Sequence, residues 1–185
     1  MKNKNIINVV FRLDGDDGTS AGTGHITRIK KIIKLFNDKK QKFKFFILFK
    51  NLNKSKKLFR KNFKDKLIIY DKNFKKKLNF LTTQDLIIVD TPYGIDNTLK
   101  KFCETKKLKK VLLIDDENKP KLKNCIIVNG IKYFKKKVIK SKLVKIYQGP
   151  KYIILDKKFS KNYANQVSNK ILIACGGTDK KNTLF

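Results

Sequence analysis

An α/β fold built on a parallel sheet is the class this sequence predicts, and three observations predict it. Short apolar runs recur without polar alternation, as in Phe45-Phe46-Ile47-Leu48-Phe49 and Leu86-Ile87-Ile88-Val89. Runs of that kind belong to strands buried on both faces. Charged, helix-compatible segments separate them. The residues that close the runs are polar or glycine (Asp14, Asp90, Asp115-Asp116, Asn129-Gly130), and in an open parallel sheet the ligand crevice lies outside the carboxyl ends of the strands. The pattern is that of a Rossmann-like sheet covered on both faces. Turn chemistry alone also accounts for such residues taken one at a time.

The elements follow in order. Ile6 to Asp14 reads as a buried strand, and after a loop Gly22-Thr23-Gly24-His25 opens a periodic segment that runs to Asp38 as a helix. Phe43 to Phe49 is a second strand, Leu52 to Phe63 a helix or irregular basic connection, Leu67 to Tyr70 a short strand and Phe74 to Phe80 a weak helix. Asp85 to Asp90 is a buried strand, Thr91-Pro92-Tyr93-Gly94 a turn, and Asn97 to Leu108 a helix. Val111 to Ile114 and Cys125 to Val128 complete the expected strands. After Gly149-Pro150, Tyr152 to Leu155 is a short apolar segment. The domain is thus expected over residues 1–156, with a polar linker over 157–169. Residues 170–185 read as one new strand, a glycine loop (Gly176-Gly177-Thr178-Asp179) and the start of a helix, the opening of an incomplete second α/β unit.

Composition narrows the function classes. The chain has 185 residues, 41% of them hydrophobic, enough for a proper core. A formal charge of +31 invites a nucleic-acid reading. That reading is disfavoured, because Arg12, Arg28 and Arg60 are the only arginines and the lysines are scattered along the chain, whereas phosphate and base recognition favours arginine's fork of donors. No apolar run is long enough to span a bilayer, and Met1 to Asn5 leads straight into a strand rather than a signal-peptide core. A cytoplasmic protein is expected. Cys103, Cys125 and Cys175 are widely spaced in apolar contexts, which fits reduced core thiols and calls for no metal.

His25, the only histidine, stands at the mouth of the first helix. The first N–H groups of a helix lack internal partners and carry partial positive charge, so an anion docks there, and glycine allows close approach. The same environment disfavours a further positive charge and so favours the neutral imidazole that accepts a proton. His25 is therefore a candidate general base; the plainer alternative is a capping or surface residue.

Taken together, Phe11-Arg12-x-Asp14, Gly22-Thr23-Gly24-His25-x-x-Arg28, Asp90-x-x-Tyr93-Gly94-Ile95, Asp115-Asp116-x-x-Lys119-Pro120, Cys125-x-x-x-Asn129, Gly149-x-x-Tyr152 and Gly176-Gly177-Thr178-Asp179-x-x-Asn182 cover nearly the whole chain. In this order they resemble the UDP-2,4-diacetamido-2,4,6-trideoxy-β-L-altropyranose hydrolases of pseudaminic-acid biosynthesis. The resemblance implies the amino-terminal lobe of a two-lobed, glycosyltransferase-like (GT-B) fold, cut at the start of the second lobe. It implies a UDP-linked amino sugar as substrate, no cofactor and no metal, with His25 activating water. By the same resemblance Gly22, Gly24, Asp14, Arg28 and Tyr93 belong to the substrate pocket, Asp14 being offered as the residue that orients the imidazole. Arg28 would meet the ligand or a neighbouring carboxylate, and Tyr93 would face the sugar or simply pack. Gly176, Gly177, Thr178, Asp179 and Asn182 match the loop that opens the nucleotide lobe. The alternative of the same architecture is a glycosyltransferase acting in surface-glycan synthesis.

Overall fold

Strand β1 (Ile7–Leu13) pairs on one side with β2 (Phe43–Phe49) and on the other with β4 (Leu86–Asp90), both in parallel. This computed structural model describes residues 6–13, 24–49, 60–61, 63, 67–70, 73–91, 94–114, 122–130 and 143–154. The remaining strands are β3 (Leu67–Tyr70), β5 (Lys110–Ile114), β6 (Cys125–Asn129) and β7 (Val144–Gln148). They form one seven-stranded sheet in the order β3-β2-β1-β4-β5-β6-β7, and every neighbouring pair is parallel. The chain first winds outward from β1 to β3, then returns to β1's other side and winds outward again to β7. That reversal places a topological switch point between β1 and β4.

Alternation along the strands sends side chains into two cores. Val9, Phe11 and Leu13 of β1 face the same side as Ile26, Ile29 and Ile33 of helix α1 (Gly24–Asn37). Those isoleucines recur at helical spacing, and Ile32 and Phe36 widen the stripe. Val10 faces the opposite side, with Phe74 of the short helix α2 (Phe74–Lys77) and Leu99 and Phe102 of α3 (Asn97–Thr105). The sheet is thus covered by helices on both faces, and that is why its inner strands carry uninterrupted apolar runs. Each fully buried side chain of the size of Phe11 or Ile87 contributes about 1.5–3 kcal/mol.

The amino edge of the sheet is pinned by a buried acid. Asp85 Oδ1 accepts from the Asn8 backbone N–H (2.8 Å) and Asn8 Nδ2 (3.0 Å), while Oδ2 accepts from the Thr82 N–H (2.7 Å) and Thr82 Oγ1 (3.1 Å). It joins the turn before β4 to the start of β1.

Two helix ends and one strand depart most from the sequence expectation. The helix expected to reach Leu108 ends at Thr105, because Lys107 adopts a positive φ of 50°. The helix expected over 74–80 stops at Lys77, with Leu78 as its cap. Strand β7 was not expected at all. The expected segment over 52–63 lies outside the described residues except for Arg60, Lys61 and the buried Phe63, and the expected linker and second unit over 157–185 lie wholly outside them. No helix among the described residues is long and apolar enough to cross a membrane.

Candidate functional site

Register brings the ends of β1 and β4 together: Leu13 pairs with Asp90, the last residue of β4. Helix α1 begins close by, and its second residue is His25. His25 Nδ1 lies 2.6 Å from Asp90 Oδ1, and Arg28 Nε, one helical turn further along α1, donates to Asp90 Oδ2 at 2.8 Å. Asp90 is almost fully buried at 1% side-chain exposure, whereas His25 and Arg28 keep 15% and 29%. A carboxylate so deep is tolerated because both oxygens are engaged, one by a guanidinium.

The tautomer is assigned from the hydrogen-bond partners of Nδ1. Arg28 Nη2 also stands 3.4 Å from His25 Nδ1, so that nitrogen either accepts from arginine or donates to the carboxylate. The carboxylate contact is far shorter, and an ionised Asp only accepts. Nδ1 therefore carries the proton, and in the neutral ring Nε2 holds the lone pair. An Asp holding one nitrogen of a His whose other nitrogen is basic is the arrangement that catalytic triads use to orient a general base.

Past β4, Thr91 and Gly94 are joined by local bonds. Thr91 Oγ1 donates to the Gly94 carbonyl at 2.6 Å, and the Gly94 N–H returns to the Thr91 carbonyl at 3.3 Å. Gly94 has a φ of +67°, which glycine adopts without strain. Asp96 then caps α3, accepting from the Leu99 N–H at 2.8 Å. Its other oxygen lies 3.6 Å from Nη2 of Arg12, which is 2% exposed and leaves β1 on the α3 side of the sheet. Arg12 thus supports the loop from the opposite face to His25.

Of the residues expected in the site, the structure brings together His25 and Arg28, and Gly24 opens the helix beneath them. Among the described residues, a Cβ built on Gly24 meets no atom within 4 Å. Arg28 takes the carboxylate option, through Asp90. Asp14, Gly22, Tyr93, Gly176, Gly177, Thr178, Asp179 and Asn182 lie outside the described residues. Asp90 holds the imidazole nitrogen, the role offered to Asp14. Sequence reasoning flagged Asp90 as a polar strand end and as the first residue of Asp90-x-x-Tyr93-Gly94-Ile95, without assigning it to the site. The signals available were its place directly after an apolar run and its place in that motif.

Two of the three thiols fall among the described residues. Cys103 and Cys125 are buried, and burial, helped by the charges of Glu104 and Asp96, pushes the Cys103 thiol up to about 12. Cys175 lies outside the described residues. Among the described residues no group of three or more His, Cys, Asp or Glu side chains is placed to hold a metal ion. The chain matches no protein-family model and no curated protein.

Proposed function

We propose that this chain supplies the sugar-side lobe and the general base of a cytoplasmic hydrolase. The enzyme cleaves the bond between anomeric carbon and diphosphate in a UDP-linked diacetamido-trideoxy sugar, on the route to pseudaminic acid. The supporting observation is the 2.6 Å bond between His25 Nδ1 and the buried Asp90 carboxylate, at the mouth of α1 and the carboxyl edge of the sheet.

In this reading, water sits against Nε2 of the neutral imidazole. As its oxygen bonds to the anomeric carbon, Nε2 takes its proton and the bond from that carbon to the diphosphate oxygen breaks. Asp90 stabilises the imidazolium that forms, and Arg28 keeps the carboxylate aimed at Nδ1. UDP departs as a stable anion, so the leaving oxygen needs no proton; a glycosidase, whose leaving group is an alkoxide, must supply one. The released imidazolium passes its proton to solvent. The uridine diphosphate is held by the second lobe of the two-lobed fold, of which Gly176, Gly177, Thr178, Asp179 and Asn182 form the opening loop. Tyr93, Gly22 and Asp14 complete the sugar pocket.

The test is UDP release by the full-length protein from the diacetamido-trideoxy nucleotide sugar in water without any acceptor. His25→Ala is expected to lower kcat by about 10²–10⁴-fold. Equal turnover by the variant removes histidine from the mechanism. Turnover that appears only on adding an acceptor alcohol assigns the fold to a glycosyltransferase instead.

A further inference from the structure

Beside Arg28 the carboxyl edge of the sheet holds a cavity of about 240 Å³. Its walls are Ile114 at the end of β5, Val128 and Gly130 at the end of β6, and Tyr152, Ile153 and Ile154 from the segment after β7. The fold builds these walls deliberately. Gly149, with a φ of +108°, donates its N–H to the Asn129 carbonyl at 2.9 Å, and the 3-10 turn Pro150–Tyr152 carries the chain back over the end of β6. Ile153 then lies so close to Gly130 that a Cβ there would stand 2.7 Å from its Cγ1 and 3.3 Å from its Cα. Only glycine at position 130 leaves the wall where it is.

The lining specifies an occupant. Among the described residues it is aliphatic apart from Tyr152 and one guanidinium, the usual make-up of a pocket that grips an apolar group and orients it by few polar contacts. Arg28 gives Nε–H to Asp90, and a guanidinium has five N–H donors, so Nη donors remain for a ligand. The charge of Arg28 is already offset by Asp90. A carboxylate or phosphate here would bring a second negative charge toward that buried acid, at a Coulombic cost. A neutral acceptor next to a small alkyl group has no such cost. At this volume the cavity is below the usual range for a drug-sized ligand, which suits a substituent.

We propose that the cavity receives a short acylamino substituent of the sugar, its carbonyl oxygen accepting from Arg28 and its methyl group packing on Ile114, Val128 and Ile154. The inference rests on the carboxyl edge being the sugar side, as proposed above. It makes these aliphatic residues the specificity determinants of the site, one residue's reach from the base.

The test reads binding and not turnover, so it answers even for a chain that hydrolyses nothing. Protein with ¹³C-labelled isoleucine and valine methyl groups is titrated with N-acetylglucosamine, glucose and acetate in parallel. The amido sugar is expected to shift the methyl signals of Ile114, Val128 and Ile154, and glucose and acetate to leave them in place. Val128→Phe, which fills the cavity, is expected to weaken the response by at least about tenfold. Should that variant not fold, Ile154→Ala, which removes one methyl-bearing wall, is expected to weaken it severalfold. Methyl signals unmoved by the amido sugar, moved equally by glucose or acetate, or unaltered in affinity by the variant that folds, overturn the proposal. Loss of UDP release in the hydrolase assay with the methyl response intact overturns only the hydrolase reading.

Discussion

Two buried aspartates close the ends of β4, and their partners separate their roles. Asp85 is saturated by four neutral donors from Asn8 and Thr82, which makes it a structural tie. Asp90 is engaged by an imidazole and a guanidinium, both partly exposed, which ties the first turn of α1 to the end of β4. Asp90→Asn keeps the shape but replaces an obligate acceptor by a group that also donates. It is expected to cost about 10²-fold or more in the kcat of UDP release with a much smaller effect on KM; an unchanged kcat contradicts the role. Cys103 gives a pH prediction with the opposite character. Its folded-state value is raised from 9.0 to about 12, so its stabilising contribution is complete below 9.0 and is lost as pH rises toward about 12. Denaturant midpoints across that alkaline range are expected to fall more steeply for the native chain than for Cys103→Ala. Parallel slopes refute it.

At the scale of the elements, α3 shows how a helix end is set by backbone geometry. The Lys107 N–H bonds to the Glu104 carbonyl and the Leu108 N–H to the Cys103 carbonyl, while Lys107 has the left-handed φ. This is the paired-bond stop that helices make, with the buried Leu108 folded back on the buried Cys103. Glycine is the usual residue at that position, and a side chain there costs about 1 kcal/mol. Lys107→Gly is therefore expected to stabilise the chain by about 0.5–1 kcal/mol, read as a higher denaturant midpoint; a lower midpoint refutes it. The expected end at Leu108 was wrong because leucine continues the apolar periodicity, and periodicity does not reveal the turn of φ before it. Strand β7 was missed for a related reason. Val144-Lys145-Ile146-Tyr147-Gln148 alternates half-buried and exposed residues at the sheet's edge, and so lacks the apolar run by which the inner strands are recognised.

For the molecule as a whole, the fold class was legible because the inner strands are buried on both faces and therefore announce themselves as unbroken Val, Ile, Leu and Phe. Chain reversal at β4 could not be read from local pattern, since it depends on which strands pair. The site inherits that limit. His25 and Arg28 share one helix face three residues apart, a relation any sequence displays. Asp90 stands 65 residues from His25 and meets it only because β4 inserts beside β1. Topology thus converts an ordinary strand-end acid into the partner of the chain's one histidine. That single imidazole also gives the most direct measurement. In ¹⁵N spectra of histidine-labelled protein near neutral pH, the neutral ring is expected to show a protonated Nδ1 and a bare Nε2, with that preference lost in Asp90→Asn. A proton on Nε2 and a bare Nδ1 in the native chain would contradict the account.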